Sequence, residues 1–240
     1  MKDMKKIESL DDIFSSFFAI IIGKEGVRIV SSPLLAVMRG LYVQEPTSDT
    51  YSFNLDDKST SAAINELKDH LHRYSAKCFT DFNTPLTYLL DELICNIQQH
   101  SQAKCGYGFL KYNSDSNVIE IVIADMGISI YGSYVVAQKY LDKFGNSDAE
   151  ALHLAQNGYS VKNLPDAENR GYGLSSSISM VVDGLQGEFA VLSGNALLIQ
   201  STKQKKILVL PKEFDYKGTM VIVRIPNKLP EDFNLYKYTS

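Results

Sequence analysis

The chain of 240 residues contains no tryptophan and only three cysteines, and it shows no long apolar run. An odd number of cysteines without a CxxC pair argues against a disulfide framework and against a structural zinc site. The apolar run Phe14 to Ile22 is far shorter than the roughly 20 residues that a membrane-spanning helix needs. Asp11 and Asp12 stand where a signal peptide carries positive charge. We therefore expect a cytoplasmic protein with reduced thiols and no membrane segment.

Positive charge is also scarce, because 24 Lys and Arg residues are outnumbered by 28 Asp and Glu residues, for a net charge of -4. A general nucleic-acid surface needs clustered basic residues. The one basic cluster, Lys203, Lys205 and Lys206, is typical of a solvated turn. Nucleic acid is therefore not an expected partner. Apolar residues make up 45% of the chain, which is enough for a sizeable core in one large domain or one domain with an appendage.

The order of the sequence patterns predicts an N-terminal α/β extension in residues 1–78 and a main domain in residues 79–240. Apolar residues at helical spacing predict a helix from Ser59 to Tyr74. The main domain begins with an apolar helix, which feeds a hairpin. Four later β-rich runs follow a long insert, Gly132 to Arg170, whose length is typical of a lid or binding loop. Within the insert, Ser147-Asp-Ala-Glu150 predicts the capped start of a short helix that runs through Ala155. The predicted strands are residues 107–112, 118–124, 187–193, 196–201, 206–210 and 219–225.

Three polar side chains interrupt the apolar helix of the main domain. Glu92, Asn96 and His100 recur at four-residue steps, so they share one helix face. An asparagine can give one amide oxygen to Mg²⁺, and a glutamate one turn earlier can orient or deprotonate a hydroxyl group or a water molecule. Pairing of Glu92 and Asn96 with a neighbouring strand explains the same pattern. For His100, a role at the helix end fits better than a role in chemistry.

Two further motifs combine glycine with a charged residue. Asp125-Met-Gly127 follows a predicted strand, where a carboxylate can accept from an exocyclic amine and a glycine lets a flat ring approach the backbone. A strand-end turn explains it equally well. Arg170-Gly171-Tyr-Gly173-Leu174 precedes a helical pattern, and free N–H groups at a helix start favour phosphate. That segment lacks the strand context of a dinucleotide fingerprint, and no Walker A motif occurs in the sequence.

In this order, the motifs resemble those of the GHKL superfamily of ATP-binding domains, which includes histidine-kinase catalytic domains, DNA gyrase B, MutL and the anti-sigma serine kinases. Glu92-Leu-x-x-Asn96-x-x-x-His100 is similar to the N box, and Asp125-x-Gly127 to the first glycine box. Arg170-Gly-x-Gly173-Leu174 is similar to the second glycine box, and Gly218-Thr219 to the start of the last strand. The resemblance covers roughly residues 80–226. It implies an α+β fold, a two-layer sandwich of a mixed, mainly antiparallel sheet covered by helices (Bergerat type).

The resemblance also implies roles for particular residues, with ATP and Mg²⁺ as cofactors. Asn96 would coordinate Mg²⁺, and Glu92 would be the catalytic residue. Ser129 departs from the pattern, because it stands where a second glycine is expected and would narrow the approach to the adenine ring. The adenine side would include Asp125, Gly127, Ile130 and Thr219, and the phosphate side Arg170, Gly171, Gly173 and Leu174, together with Ser160 and Lys162.

Two functional hypotheses follow from the resemblance. The first is a Mg²⁺-dependent ATPase or protein kinase of the anti-sigma type, acting in signalling, in which Glu92 is the base for a partner's serine or threonine. The second is a non-catalytic, ATP-dependent regulatory switch, in which the nucleotide orders the lid and changes a protein-binding surface. Both expect ATP and a regulatory protein as partners and leave homodimerisation open. Retention of Glu92 favours the enzyme, and Ser129 favours the switch.

Overall fold

The computed structural model describes residues 50–55, 83–113, 117–161, 173–210 and 215–239, and the single positions 62, 65 and 69. Seven strands in these ranges form one sheet in the order β1-β2-β3-β7-β4-β5-β6. Every described pairing is antiparallel. The sheet was predicted to be mixed and mainly antiparallel, and no parallel pair occurs in these ranges. The strands are β1 Thr50–Asn54, β2 Cys105–Asn113, β3 Val118–Asp125, β4 Glu188–Gly194, β5 Ala196–Ser201, β6 Gln204–Val209 and β7 Tyr216–Pro226.

Helices precede β2, lie between β3 and β4, and follow β7. Pro85 lies in the first turn of the longest one, where a missing N–H group costs little. None of the helices in the described ranges has the length and apolarity to cross a membrane. They are α1 Asn83–His100, α2 Ile130–Ala137, α3 Asp148–Gln156, α4 Leu174–Ser179, which continues as a π-helical turn Met180–Gly184, and α5 Tyr236–Thr239.

The main core lies between these helices and one face of the sheet. Alternate residues of β3 and β7, such as Ile121 and Val223, are fully buried against the apolar side of α1, which includes Leu86 and Leu93. The period of two along the strands and of about 3.6 along the helix brings these side chains together. The described part of the chain is thus an α+β structure compatible with a two-layer sandwich.

The insert between β3 and β4 begins with two short helices. Ser147 caps α3 as predicted, since its hydroxyl oxygen accepts from the N–H of Glu150. The helix α2 was not predicted. Its start depends on Ser129, whose hydroxyl accepts from the N–H of Gly132, and on Tyr134, which buries its ring in a small second core. A capping serine inside the pattern Gly-Ile-Ser-Ile was interpreted only as a missing glycine.

The first 78 residues contribute at least one strand to the same sheet. β1 lies at the sheet edge and pairs with β2 from Thr50 opposite Phe109 to Asn54 opposite Cys105. Of the helix predicted from Ser59 to Tyr74, positions 62, 65 and 69 are helical and exposed. The other residues of that helix and the predicted boundary at residue 78 lie outside the described ranges.

Candidate functional site

A cavity opens between α1, the adjoining ends of β3 and β7, and the helices α2 to α4. It contains about 860 Å³ of empty space, counted together with the solvent at its mouth. A concave, largely apolar pocket with a few convergent polar groups is the usual form of a small-molecule site. Its apolar wall includes Leu93, Ile97, Ile123, Ile128, Ile130, Val161, Leu174 and Val221, and its polar groups include Asn96, His100, Ser101, Asp125, Ser129, Tyr134, Ser160 and Thr219.

Asp125 stands at the end of β3 and is 1% exposed. One of its carboxylate oxygens accepts from the N–H of Gly127 at 2.8 Å, and the N–H of Thr219 also bonds to the carboxylate. Burial raises the pKa of Asp125 to about 7, against an ordinary value of 3.8, although the two N–H groups lower it. The side chain therefore exchanges between an acceptor-only carboxylate and a carboxylic acid near neutral pH.

The hydroxyl group of Thr219 contacts that of Ser193, a residue that the sequence analysis did not single out. Ser193 on β4 is paired with Thr219 on β7, and their hydroxyl oxygens are 3.1 Å apart. The Ser193 hydroxyl also accepts from the N–H of Ile130 at 2.8 Å, which ties the start of α2 to the sheet. The only sequence signal was a serine at the end of an apolar strand. Its importance depends on the long-range pairing of β4 with β7.

Glycines at this end of the cavity permit close backbone contacts. A Cβ atom on Gly127 would lie 1.9 Å from the carbonyl oxygen of Ser101, and one on Gly218 would lie 2.0 Å from the carbonyl oxygen of Asp125. Gly127 thus lets the turn after β3 pack against the end of α1. Gly127 was predicted to let a flat ring approach the backbone. In the structure, its lack of a side chain instead allows a close contact with the backbone of Ser101.

Ser129 does not occupy a conformation that needs glycine. Its φ of -67° and ψ of 171° are those of extended backbone, which any residue adopts. Its hydroxyl group caps α2 and donates to the Asp148 carboxylate at 3.2 Å. Asp148 in turn accepts from the N–H of Asn195 at 3.2 Å. The serine therefore links α2, α3 and the β4–β5 turn.

Two of the three polar residues on one face of α1 line the cavity. Asn96 and His100 line it, and Glu92 does not. Gly173 packs beside Asn96, because a Cβ atom on this glycine would lie 3.6 Å from the amide oxygen of Asn96. The φ of Gly173 is +111°, a conformation that other residues rarely adopt. The two predicted motifs centred on Asn96 and Gly173 are thus in contact.

Glu92 has an unusual environment for a carboxylate. Its Oε2 atom is buried and has no hydrogen-bond partner in the structure. A buried polar atom without a partner is costly and marks a place where water, an ion or a ligand group would be favourable. Glu92 precedes Asn96 by one helical turn.

Aromatic side chains form the wall that the insert contributes. The Tyr134 hydroxyl donates to the carbonyl oxygen of Tyr159, and both residues line the cavity. Burial raises the pKa of Tyr134 above its usual value, so the hydroxyl stays protonated and remains a donor. Tyr140 packs edge-on against both rings. The sequence analysis treated this insert only as a lid and did not single out these tyrosines.

Other predicted site residues divide between the cavity and the undescribed segment. Ile130, Ser160 and Leu174 line the cavity. Arg170, Gly171 and Lys162 lie outside the described residues. Residues that the sequence analysis selected from α1, β3, β7 and α4 therefore line the same cavity.

The residues around Asn96 supply too few ligands for a metal ion held by protein alone. Within the described ranges, no group of three or more His, Cys, Asp and Glu side chains could hold a metal ion. Mg²⁺ is commonly bound by one or two protein oxygens together with phosphate oxygens and water. The amide of Asn96, which lines the cavity, fits an ion that arrives with a phosphate ligand.

Comparison with known proteins gives no relative for this chain, since no protein-family model matches it and no curated protein is significantly similar to it.

Proposed function

We propose that this chain is a Mg²⁺-dependent ATP-binding protein of the GHKL type, with the Bergerat form of the α+β fold. The adenine would lie at Asp125 and Thr219, and the phosphates beside Asn96 and Gly173. The observation that carries the proposal is the buried carboxylate of Asp125 in a cavity that is also lined by Asn96 and by Gly173, which packs beside it. Four sequence motifs that are far apart in the chain supply these residues.

The environment of Asp125 supports selection for adenine. Its ionised carboxylate only accepts hydrogen bonds, so it suits the exocyclic amine of adenine and opposes the carbonyl oxygen that guanine carries at the same place. The backbone N–H of Thr219 bonds to this carboxylate, and the Thr219 hydroxyl group lies 3.1 Å from that of Ser193. Apolar side chains such as Ile123 and Val221 provide flat contact area for a base.

Asn96 would place the metal ion, and the nucleotide phosphates would complete its ligands. Mg²⁺ bound in this way supplies positive charge to the phosphate oxygens. Glu92, one turn earlier, is the candidate base for a water molecule or for a serine or threonine hydroxyl of a partner protein. This gives an ATPase or a protein kinase that acts in signalling.

A non-catalytic switch is the second candidate, and the position of Glu92 favours it. The side chain is absent from the cavity lining, so no described contact yet relates its carboxylate to a bound phosphate. In a switch, nucleotide binding would change the surface formed by the insert and so the affinity for a regulatory protein. Both candidates share the ATP site and differ only in whether Glu92 acts as a catalytic base.

Nucleotide binding is tested by thermal unfolding of the full chain with ATP, GTP or CTP, each with Mg²⁺ and with a chelator. We expect the unfolding temperature to rise with Mg²⁺ and ATP, less with ATP and chelator, and little with GTP. Equal shifts with ATP and GTP would contradict the proposed role of Asp125. No shift with ATP at millimolar concentration would overturn the proposal itself.

Catalysis is tested by phosphate release and protein labelling from γ-labelled ATP, alone and with cell extract. We compare wild type with Glu92→Gln and with Glu231→Gln, an exposed glutamate remote from the cavity. Loss of a general base commonly lowers the rate by roughly 10²–10⁴-fold. A large loss in the first variant alone supports the enzyme. Equal activity in all three proteins, with ATP binding intact, supports the switch.

A further inference from the structure

The hydroxyl group of Ser193 lies behind the cavity wall, next to Thr219. Ser193 is 1% exposed and does not line the cavity, whereas Thr219, which pairs with it across β4 and β7, does. The Ser193 hydroxyl oxygen accepts from the N–H of Ile130 at 2.8 Å. It lies 3.1 Å from the hydroxyl oxygen of Thr219 and 3.3 Å from the carbonyl oxygen of Gly218. Groups from α2 and β7 therefore converge on one buried hydroxyl group.

A break in the strand register brings the Gly218 carbonyl group to this place. Ser193 pairs with Thr219, but the next residue on β4, Gly194, pairs with Tyr216. Positions 217 and 218 of β7 thus lie outside the regular pairing. Irregularities of this kind redirect groups at the end of a strand and are common beside binding sites. The carbonyl oxygen of Gly218 is therefore available to a side chain.

The Gly218 carbonyl group is also held in place. A Cβ atom on Gly218 would lie 2.0 Å from the carbonyl oxygen of Asp125, so the two backbone segments are in close contact. Thr219, the next residue, bonds through its N–H to the Asp125 carboxylate. The acceptor for Ser193 and the Thr219 hydroxyl group therefore belong to one rigid segment beside Asp125.

Hydrogen-bond capacity decides where the hydroxyl protons lie. A serine hydroxyl has one proton to donate and can accept two hydrogen bonds. The N–H of Ile130 takes one acceptor position of Ser193. If Ser193 donates to Gly218, Thr219 can donate to the second acceptor position, and all three contacts are hydrogen bonds. If Ser193 donates to Thr219, the contact with Gly218 is lost. Buried polar groups are usually satisfied, which favours the first arrangement.

In this arrangement, Thr219 has already donated its hydroxyl proton to Ser193. The Thr219 oxygen can then offer only lone pairs to a ligand in the cavity. An oxygen of this kind favours ligand groups that donate hydrogen bonds and opposes groups that accept them. Adenine carries an amine at the position where guanine and hypoxanthine carry a carbonyl oxygen.

We propose that Ser193 is a positioning residue for base selectivity, which holds the Thr219 oxygen as an acceptor for the amine of a 6-aminopurine. The inference rests on the proposed function, because it requires adenine beside Thr219. It adds a second acceptor to the carboxylate of Asp125. Selectivity would then depend on a residue that does not itself contact the base.

A purely structural role for Ser193 would give a different result. If its hydroxyl group served only to bond Ile130 at the start of α2, its loss would weaken the binding of all nucleotides alike. That loss would also be the same with or without the Thr219 hydroxyl group. A positioning residue instead alters discrimination between bases, and it can do so only while the Thr219 hydroxyl group is present.

Calorimetric titration of the full chain with Mg²⁺–ATP and with Mg²⁺–inosine triphosphate separates the two roles. These nucleotides have the same phosphates and ribose and differ in the amine or carbonyl group of the base. The proteins compared are wild type, Ser193→Ala, Thr219→Val and the double variant. Ser177→Ala is the matched control, because Ser177 is fully buried and its hydroxyl oxygen has no partner in the structure. At pH 8 the Asp125 carboxyl group, with a pKa of about 7, is mostly ionised.

We expect wild type to prefer ATP and Ser193→Ala to lower the ratio of the two association constants by roughly fivefold, the effect of one hydrogen bond. Thr219→Val should lower the ratio by a similar factor. The double variant should resemble Thr219→Val within about twofold, since the two hydroxyl groups act as a unit. Ser177→Ala should keep the ratio of wild type.

Loss of the Ser193 hydroxyl group also leaves the N–H of Ile130 without this acceptor, so the unfolding temperature of each variant is measured as well. Ser193→Cys fills a similar space with a group that donates and accepts only weakly. It should lower the ratio as Ser193→Ala does, and it takes the place of that variant if Ser193→Ala does not fold.

Three results would overturn the inference and leave the ATP site standing. They are an unchanged ratio in the Ser193 variants, an equal loss of affinity for both nucleotides, and effects of Ser193→Ala and Thr219→Val that multiply in the double variant. Failure of wild type to bind either nucleotide would instead overturn the proposed function, and this inference with it.

Discussion

The proposed base end of the cavity, around Asp125 and Thr219, is built from strand ends, whereas the proposed phosphate end, around Asn96 and Gly173, is built from two helix segments. At the base end, protein groups already bond to each other. The Asp125 carbonyl oxygen accepts from the Tyr216 hydroxyl at 2.8 Å, and its carboxylate accepts from two N–H groups. One helical turn before Asn96 and outside the cavity lining, a buried oxygen of Glu92 has no partner in the structure.

This difference separates recognition from chemistry. A site held by backbone hydrogen bonds is organised before the ligand arrives, and its selectivity is a property of the fold. A buried carboxylate oxygen without a partner, as in Glu92, would gain a contact only from water, an ion or a ligand group. We therefore expect changes at the base end to alter stability and base selectivity together, and changes at the phosphate end to alter the use of Mg²⁺ and the γ-phosphate.

The largest effect we expect is a pH dependence of stability that originates at Asp125. Its pKa is about 7 in the folded protein, against an ordinary 3.8, so folding takes up a proton between these values. The stabilisation is fully present below about pH 4 and is lost as the pH rises through 7. The loss is at most about 4 kcal/mol. Unfolding by urea at several pH values measures it, without nucleotide.

The matched protein for that measurement is Asp125→Asn, which cannot ionise. We expect it to resemble wild type near pH 4 and to be more stable than wild type at pH 8. Parallel stability curves for the two proteins across this range would show that the Asp125 carboxyl group is not desolvated.

The second-largest effect on stability should follow from Gly218→Ala, at the same end of the cavity. The added Cβ atom would meet the backbone of Asp125 at 2.0 Å, so β3 and β7 must separate, at a cost of about 3 kcal/mol. Gly145→Ala is the control, because its Cβ atom would meet only the mobile end of the exposed Glu150 side chain. An equal loss of unfolding free energy in the two variants, measured by urea unfolding, would contradict the described contact between Gly218 and Asp125.

At the phosphate end, Asn96→Ala should weaken Mg²⁺–ATP binding by roughly tenfold, or about 1.4 kcal/mol. Adenosine has no phosphate and should bind both proteins alike. Calorimetric titration with each ligand measures the difference, and Gln99→Ala on the exposed side of α1 is the control. An equal loss for adenosine would mean that Asn96 supports the base end and does not act through the metal ion.

The smallest effect should come from Ser129→Gly, which restores the residue expected from the resemblance. Backbone at this position is extended, so glycine offers no conformational advantage, and loss of the α2 cap costs only a few tenths of a kcal/mol. We expect less than a twofold change in ATP affinity by fluorescence titration. A tenfold gain would show that the serine narrows the approach to the adenine ring.

Local patterns predicted much of the fold and selected several residues that line the cavity. The strand pattern before Asp125 and the four-residue steps of α1 arise from interactions within a few residues, and the structure shows both elements. The capped start of α3 at Ser147 was predicted for the same reason. Asp125, Asn96 and Thr219 could be assigned to one site only through the family resemblance, since their proximity depends on chain topology.

The features that were missed depend on contacts between distant segments. Ser193 matters because β4 pairs with β7 in one particular register, and no local pattern specifies that register. Tyr134 and Tyr159 meet through the packing of α2 and α3.

The most direct test of the proposed ATP site is the affinity for Mg²⁺–ATP of wild type, Asp125→Asn and Asp183→Asn. It is measured by calorimetry at pH 8, where the Asp125 carboxyl group is mostly ionised. Asp183 is exposed and remote from the cavity, so it controls for the loss of one negative charge. We predict that Asp125→Asn binds at least about 30-fold more weakly, since a charged hydrogen bond to the adenine amine is lost, and that Asp183→Asn binds as wild type does. Equal affinities for all three proteins would contradict the assignment of adenine to Asp125.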